Sequence, residues 1–429
     1  MQRPRIHDTT TPVSFPLLLL FGVGYVISRV FVRVDAHVAL LSWIAQRSRG
    51  SATRLCLGIM LVTFGLSLCI SNLLTVVAII PLVQRAVDAM ELEEEARRRV
   101  ITFLALGVMY AANIGGMGSL IGSPSNGILL GALSLNAVPG RDAITFWTWL
   151  AFGLPMASVL LLAAWALLAS TLGRGMQAIF RPFQLPSVEH PRDHRRGLWV
   201  CGVAVIGSIV VALANATLLP DRGAPPSQES MLDWVTPQNV VDWVTLVATL
   251  ALVGGLFALP LSDRKERLLR WRDCWAGLPL RGVAIAVLAT AVGSLMYWMG
   301  ALDALQRWMT ELLPTTWSHT LLLYSVVFVT IFATEIVSNT AAAVAMWTVV
   351  LTLAEAATFS PLLLMLGVAM ASTSAFMSPV ATPATGMAFG GLRGVSLRPM
   401  LGVGILVNIV AAVWISLSLH TWIPWFLSR

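Results

Sequence analysis

The stretch Thr334-Glu335-Ile336-Val337-Ser338-Asn339-Thr340 lies in the middle of an apolar run, Leu321 to Ala354. The run is too long and too interrupted to be one straight membrane helix. A polar cluster at membrane depth needs a structural reason, because an unsatisfied polar group in hydrocarbon costs several kcal/mol. We therefore interpret the cluster as the tip of a re-entrant helical hairpin, which enters the membrane, turns and leaves on the same side.

A second copy of this pattern, Ser71-Asn72-Leu73, lies in the apolar run Leu57 to Val83 and predicts a second hairpin. Each hairpin is followed by another overlong apolar run, Val100 to Leu133 and Pro361 to Gly391, with proline and glycine inside it. Proline and clustered glycines break helices. Each run therefore predicts two half-helices joined by an unwound loop, and the density of glycine at positions 115, 116 and 118 favours a loop there over close helix packing.

The composition places the chain in a membrane. Of its 429 residues, 57% are hydrophobic and 11% are charged, whereas soluble domains carry about 25% charged residues. The formal net charge of +7 is almost all arginine, which indicates cytoplasmic loops rather than a nucleic-acid surface. The four cysteines show no metal-ligand spacing. With no nucleophile–base pair and no phosphate loop, the sequence predicts an all-α polytopic protein of the cytoplasmic (inner) membrane that is not an enzyme and needs no cofactor.

The arginines predict an inverted repeat. They flank the first hairpin, which should open to the cytoplasm, and they are absent beside the second hairpin, which should open outward. The halves are residues 1–172 and 198–429, joined by a cytoplasmic connector, 173–197. Two halves with matching interrupted helices are typical of secondary transporters with a site at the bilayer midplane. The remaining predicted spans are Val13 to Val32, Ala143 to Leu172, Leu198 to Leu219, Val240 to Leu261, Gly282 to Ala301 and Leu401 to Leu427.

The tips of the hairpins suit two kinds of ligand. Helix N-termini favour a carboxylate or sulfate, and freed carbonyls with Ser, Thr and Asn oxygens favour Na⁺. Ser and Asn in membrane helices often only bond to neighbouring helices, and one isolated pair would favour that interpretation. Two copies, each followed by a broken helix, favour a binding site. Glu335 is the only acidic residue within either hairpin, and both a functional role and a bracing role remain open for it.

Three stretches carry a family resemblance: residues 334–340, residues 374–383 (Ser-Ala-Phe-Met-Ser-Pro-Val-Ala-Thr-Pro) and residues 114–124 (Ile-Gly-Gly-Met-Gly-Ser-Leu-Ile-Gly-Ser-Pro). At these positions the chain resembles the divalent anion:sodium symporter (DASS) family of dicarboxylate, citrate and sulfate carriers. The resemblance implies a Na⁺-coupled, elevator-type carrier, usually a homodimer, of a small anionic substrate such as succinate or sulfate. The hairpins and broken helices would form its moving transport domain.

The resemblance also implies site residues. One Na⁺ site would use Ser67, Asn72 and the carbonyl of Gly122, and the other would use Thr334, Asn339 and the carbonyls of Val337 and Ala381. The anion would lie between the two hairpin tips, in contact with Ser71, Asn72, Ser338, Asn339 and Thr340, with Ser123, Pro124, Thr382 and Pro383 nearby.

Two departures from the family pattern leave alternatives open. Leu73 stands where the family has a hydroxyl, and the three membrane helices that precede the first span in the family have no counterpart before Val13. The N-terminal scaffold is therefore expected to be missing, either because the start lies upstream or because this member is shortened. The alternatives are a truncated, non-transporting membrane protein of the same fold, and an H⁺-coupled or exchange carrier of organic anions.

Overall fold

The computed structural model describes residues 36–120, 122–176, 240–260, 266–275, 318–357 and 359–427, with scattered residues between 26 and 34 and between 195 and 307. All regular structure in these ranges is helical, as the apolar composition predicts. The spans predicted at Val13 to Val32, Leu198 to Leu219 and Gly282 to Ala301 lie mostly outside the described residues. So does most of the predicted connector.

The first half contains six described helices. They are α1 (Ala36–Ser48), α2 (Ala52–Ser67), α3 (Asn72–Asp88), α4 (Glu94–Gly118), α5 (Pro124–Leu135) and α6 (Phe146–Thr171). The hairpin predicted at residues 57–83 is formed by α2 and α3, which pack against each other and against α4. The overlong run after it is broken into α4 and α5, as predicted.

The second described group of helices repeats this order. It begins with α7 (Val240–Ala258) and α8 (Trp271–Trp275), and continues with α9 (His319–Thr334), α10 (Asn339–Ala357), α11 (Pro361–Ser372), α12 (Pro383–Gly391), α13 (Leu397–Thr421) and α14 (Ile423–Leu427). The hairpin predicted at residues 321–354 is formed by α9 and α10, and both of its arms pack against α11. The run predicted to break around Pro379 and Pro383 is divided into α11 and α12.

The two hairpins turn at equivalent positions. In the first, α2 ends at Ser67 and α3 begins at Asn72; in the second, α9 ends at Thr334 and α10 begins at Asn339. Each turn therefore consists of four residues, 68–71 and 335–338. Neither polar cluster crosses as a continuous helix, so the predicted interruption is confirmed at both places.

Three described helices are long and apolar enough to cross a membrane: α4, α6 and α13. The apolar window of α4 is completely buried inside the protein, whereas α6 and α13 bury only 39% and 50% of theirs. Such a pattern is expected when α4 is the central helix and the other two present one face to lipid. Five shorter apolar helices accompany them, including four of the hairpin and broken-helix arms.

The prediction of a loop around Gly115, Gly116 and Gly118 is wrong, because these residues belong to the last two turns of α4. They are close-packing glycines. A Cβ at Gly115 would lie 2.7 Å from the carbonyl oxygen of Phe64, and one at Gly118 would lie 2.8 Å from the side chain of Leu68. The non-helical part of this break is shorter than expected: it follows the glycines and, among the described residues, comprises Ser119, Leu120, Gly122 and Ser123. Their lack of side chains lets α4 approach the first hairpin at its turn.

The two described groups of helices pack against each other through the helices that follow their breaks. The second half-helix of the first group, α5, packs against α10 and α11 of the second group, and α12 of the second group packs against α3 and α4 of the first. The breaks of both groups are thereby held in one structure rather than in two separate bundles.

Candidate functional site

Four helices begin at residues that the sequence analysis assigned to the anion site. The helices α3 and α10 begin at Asn72 and Asn339, and α5 and α12 begin at Pro124 and Pro383. A helix N-terminus carries roughly half a positive charge and free N–H groups. The four breaks contain no Lys or Arg in the sequence. An anion bound there would therefore be held by peptide dipoles and hydroxyls rather than by basic side chains.

The structure brings together the three residues predicted for the first cation site. The hydroxyl of Ser67 lies 3.0 Å from Oδ1 of Asn72 and donates to the carbonyl oxygen of Ala112 at 2.7 Å. Oδ1 of Asn72 lies 2.8 Å from the carbonyl oxygen of Gly122 and 3.2 Å from that of Ala112. Both side chains are buried. Ala112, on α4, is a fourth oxygen donor that the sequence did not indicate.

The orientation of the Asn72 amide bears on what this cluster can hold. Here its oxygen faces three other oxygens, and its Nδ2 donates to Oδ1 of Asn113 at 3.4 Å. In the flipped orientation its nitrogen would instead donate to Ser67, Ala112 and Gly122. Without a cation the flipped amide makes more hydrogen bonds. Convergent oxygens become favourable when a hard cation lies among them, so the donor set fits Na⁺.

The second hairpin repeats the same pattern with different residues. The hydroxyl of Thr334 donates to Oδ1 of Asn339 at 2.7 Å and also lies 3.0 Å from the carbonyl oxygen of Ser372. In both hairpins a hydroxyl at the end of one arm meets the asparagine at the start of the other and a carbonyl of the helix behind. Val337 and Ala381 are buried in the adjoining breaks. Thr334 is fully buried, whereas Asn339 is half-buried.

The hydroxyls predicted to meet the anion differ in how far they are already engaged. Oγ of Ser71 is buried and has no hydrogen-bond partner in the described part of the chain. Ser338 accepts from the backbone N–H of Ala341 at 3.3 Å, and Thr340 is half-buried. Oγ of Ser123 lies 2.9 Å from that of Ser125. Ser71 is therefore the hydroxyl that has most to gain from a ligand.

Thr382 is engaged in capping a helix. Its hydroxyl accepts from the backbone N–H of Thr385 at 3.0 Å, while the hydroxyl of Thr385 accepts from the backbone N–H of Thr382 at 3.1 Å. This reciprocal pair is a capping box, and Pro383 follows at the first helical position, where its missing N–H costs nothing. The pair fixes the start of α12 and occupies the Thr382 hydroxyl as an acceptor.

Glu335 braces the second hairpin. Its Oε1 accepts from the backbone N–H groups of Phe376 and Met377, at 2.7 and 2.9 Å, and its Oε2 accepts from that of Ser378 at 2.7 Å. The side chain of Asn408, on α13, donates to Oε1 at 2.8 Å. A carboxylate with four donors is fully engaged, so the bracing interpretation of the two left open by the sequence is the one that the geometry favours.

Three residues outside the sequence-based site belong to its structure. Asn126 is fully buried, and its Nδ2 donates at 2.9 Å to the carbonyl oxygens of both Gly116 and Ser119, which the end of α4 leaves free. Thr75, one turn after Ser71, has a buried hydroxyl without a partner in the described residues. Asn113 contacts both groups of helices. The signal that could have found them is an amide or hydroxyl in an otherwise apolar run.

The chain is similar to known membrane carriers over most of its length. Residues 3–259, more than half of the chain, match the model of a family described as citrate transporter (CitMHS). Over 95% of its length the chain is 28% identical to proteins named sodium-dependent dicarboxylate transporter SdcS, from Staphylococcus saprophyticus and from Staphylococcus aureus. The alignments cover 76% of each of those proteins. The resemblance found at the hairpin and broken-helix motifs is thereby confirmed across nearly the whole chain.

Proposed function

Because the chain belongs to the citrate transporter family, we propose that it is a secondary active transporter that couples the uptake of a dicarboxylate to Na⁺. It is a multi-pass protein of the cytoplasmic membrane. The family consists of carriers, so the prediction that the chain is not an enzyme is confirmed.

One observation carries the proposal: the same hydroxyl–amide–carbonyl arrangement occurs at both hairpin turns. Ser67, Asn72 and the Ala112 carbonyl form it in the first hairpin, and Thr334, Asn339 and the Ser372 carbonyl form it in the second. If these polar residues only joined neighbouring helices, the same spacing beside a helix break would not be expected twice. Two cation sites would explain the recurrence, because each site needs several oxygens and no competing side-chain charge.

The proposed chemistry divides the polar groups into two sets. Na⁺ would be held by Ser67, Asn72 and the carbonyl of Gly122 in one site, and by Thr334, Asn339 and the carbonyls of Val337 and Ala381 in the other. The anion would lie between the hairpin tips, where the helices that begin at Asn72 and Asn339 direct their N–H groups. Bound Na⁺ would supply the positive charge that the four breaks lack, so the anion would bind well only after the cations.

The larger architecture follows as part of the same proposal. The two halves, 1–172 and 198–429, would form an inverted repeat joined by the connector at 173–197, with the hairpins re-entering from opposite faces. The hairpins and broken helices would move together as the transport domain of an elevator-type homodimer. The crossed packing of α5 on α10 and of α12 on α3 supports movement as one body.

Uptake by the purified protein in proteoliposomes tests the proposal. Radiolabelled succinate, citrate and sulfate are offered with an inward Na⁺ gradient, with K⁺ in its place, and with a proton gradient alone. We expect Na⁺-dependent uptake of succinate. Uptake driven by the proton gradient without Na⁺ would favour the H⁺-coupled alternative, and sulfate uptake exceeding succinate uptake would change the substrate class. No uptake of any anion would favour the non-transporting alternative.

The substitution Asn339→Ala tests the site itself. It removes an amide oxygen that the proposal gives to both cation and anion, so we expect uptake to fall to background while the protein still inserts into membranes. Thr330→Val is the matched control, since the Thr330 hydroxyl lies in α9, the other arm of the same hairpin, and bonds only to the carbonyl of Val326 in its own helix. Wild-type uptake by the Asn339 variant would remove the assigned role.

A further inference from the structure

Asn113 is not among the residues proposed to bind the cations or the anion. It lies in the buried C-terminal part of α4, five residues before the helix ends at Gly118, and is itself fully buried. Its Nδ2 donates to the carbonyl oxygen of Ala375 at 2.7 Å, and its Oδ1 accepts from Nδ2 of Asn72 at 3.4 Å. One side chain therefore contacts the first cation cluster and the break between α11 and α12.

The orientation of the Asn113 amide is fixed by its surroundings. A backbone carbonyl oxygen can only accept, so the atom of Asn113 that faces Ala375 must be the nitrogen. The oxygen of Asn113 must then face Asn72. This acceptor favours the Asn72 orientation in which the nitrogen points to Asn113 and the oxygen points to Ser67 and Gly122. In the flipped orientation two amide oxygens would face each other across 3.4 Å.

The peptide group that fixes Asn113 is held at its other end as well. The carbonyl of Ala375 accepts from Asn113, and the N–H of the next residue, Phe376, donates to Glu335 at 2.7 Å. Glu335 lies in the turn of the second hairpin, four residues before Asn339. An unbroken path of hydrogen bonds thus leads from Asn72, through Asn113 and one peptide group, to the second hairpin.

We propose that Asn113 is a positioning residue that holds the oxygen of Asn72 toward the first cation site. The inference rests on the proposed Na⁺ coupling. The oxygen of Asn113 gives the Asn72 nitrogen an acceptor in the orientation that presents oxygen to the cation, and this lowers the cost of that orientation. Without this acceptor, the flipped orientation, in which the nitrogen donates to the carbonyls of Ala112 and Gly122, is favoured further, so Na⁺ must compete with those hydrogen bonds more strongly. The link to Ala375 makes this orientation depend on the second group of helices.

Na⁺ binding is measured without transport, from the thermal stability of the detergent-solubilised full chain as NaCl replaces KCl at constant ionic strength. A ligand that binds only the folded state raises the unfolding temperature with its concentration. Asn113→Leu removes both the acceptor and the donor. We expect the variant to need about ten times more Na⁺ than the wild type for the same rise in unfolding temperature (its Na⁺ requirement), as expected for roughly one lost hydrogen bond. Asn113→Ala serves the same comparison if the leucine variant does not fold.

Asn113→Asp separates positioning from packing. Aspartate presents an oxygen to Asn72 in either protonation state, so the positioning role predicts a Na⁺ requirement no higher than that of the wild type. If Asn113 is needed only for packing, we expect the aspartate variant to need more Na⁺ than the wild type, because a buried carboxylate beside the Ala375 carbonyl destabilises the site more than leucine does. Thr63→Val is the matched control, since it deletes a buried hydroxyl that bonds only to the carbonyl of Ile59 within α2.

The outcomes are distinguishable. A raised Na⁺ requirement for leucine or alanine together with an unchanged or lower requirement for aspartate supports the proposal. Equal requirements for the wild type and Asn113→Leu overturn it, and so does a raised requirement for aspartate. If the wild type itself is stabilised no more by Na⁺ than by K⁺, the proposed cation coupling fails, and the inference fails with it for that separate reason.

Discussion

The asparagines at the two hairpin turns show what single residues contribute. Asn72 and Asn339 are each the first residue of a helix and each lie next to a hydroxyl five positions earlier. A side-chain amide offers both a donor and an acceptor in a plane. Neighbouring groups therefore decide which atom faces the site, and small changes beside the amide should have large effects.

Gly116 faces the Asn72 amide so closely that a Cβ there would collide with it. Gly116→Ala should therefore displace the amide, and the cost of overpacking, typically about 1–3 kcal/mol, predicts a loss of Na⁺-dependent uptake of about tenfold or more. The control is Gly131→Ala on α5, where a Cβ meets nothing within 4 Å. Equal uptake by the two variants would show that Asn72 tolerates displacement.

Leu73 lies beside Asn72 and packs, half-buried, against the apolar core. Leu73→Thr introduces a hydroxyl next to the proposed anion position, and one hydrogen bond of about 0.5–1.5 kcal/mol predicts a two- to tenfold gain in apparent affinity for a dicarboxylate. Leu73→Val gives nearly the same shape as threonine without the hydroxyl. The difference in apparent affinity between the two variants therefore measures the effect of the hydroxyl alone. Identical affinities in uptake assays would mean that position 73 does not face the substrate.

At the scale of elements, the sequence predicted both hairpins and both broken helices, because a Ser-Asn pair or a proline inside an overlong apolar run disfavours a continuous membrane helix. It misplaced the end of α4, since Gly115 and Gly116 look the same in a loop as in a helix that another backbone approaches. Only the position of Phe64 and Asn72 against them decides between the two. Ala112 and Ser372 could not be predicted either, because the groups they contribute are backbone carbonyls, which every residue has.

The Glu335 carboxylate joins three elements: the second hairpin, the break after α11, and α13. Glu335→Gln places an NH₂ group against one of the backbone N–H donors, so a charge-assisted hydrogen bond is replaced by a repulsive contact. We expect the thermal stability of the purified protein to fall by roughly 1–3 kcal/mol. Thr330→Val on α9, the helix that ends directly before Glu335, is the control. An unchanged unfolding temperature would show that the carboxylate does not hold these elements together.

At the scale of the whole molecule, the predicted orientation of the two hairpins remains to be tested. Glu93 and Ser360 are exposed and occupy equivalent positions, each directly before the helix that follows its hairpin. In a background with the four native cysteines replaced by alanine, we expect Ser360→Cys to react with a membrane-impermeant maleimide on intact cells. Glu93→Cys should react only after permeabilisation, because the flanking arginines place it in the cytoplasm.

Labelling of both cysteines from the same face would contradict the inverted repeat while leaving the family membership intact. The predicted orientation of the hairpins rests on the placement of the arginines. The packing contacts between helices do not test it, because helices pack in the same way whichever side of the bilayer they start from.

The complete burial of the apolar window of α4 has a consequence for how the protein is made. Its glycine side is covered by the first hairpin, which precedes it in the chain and so leaves the ribosome earlier. Asn113, however, bonds to Ala375, which lies 262 residues later. During synthesis, Nδ2 of Asn113 therefore lacks this acceptor in the bilayer until Ala375 has been added. Truncating the open reading frame before its final third should leave an insertion intermediate that quality-control proteases recognise.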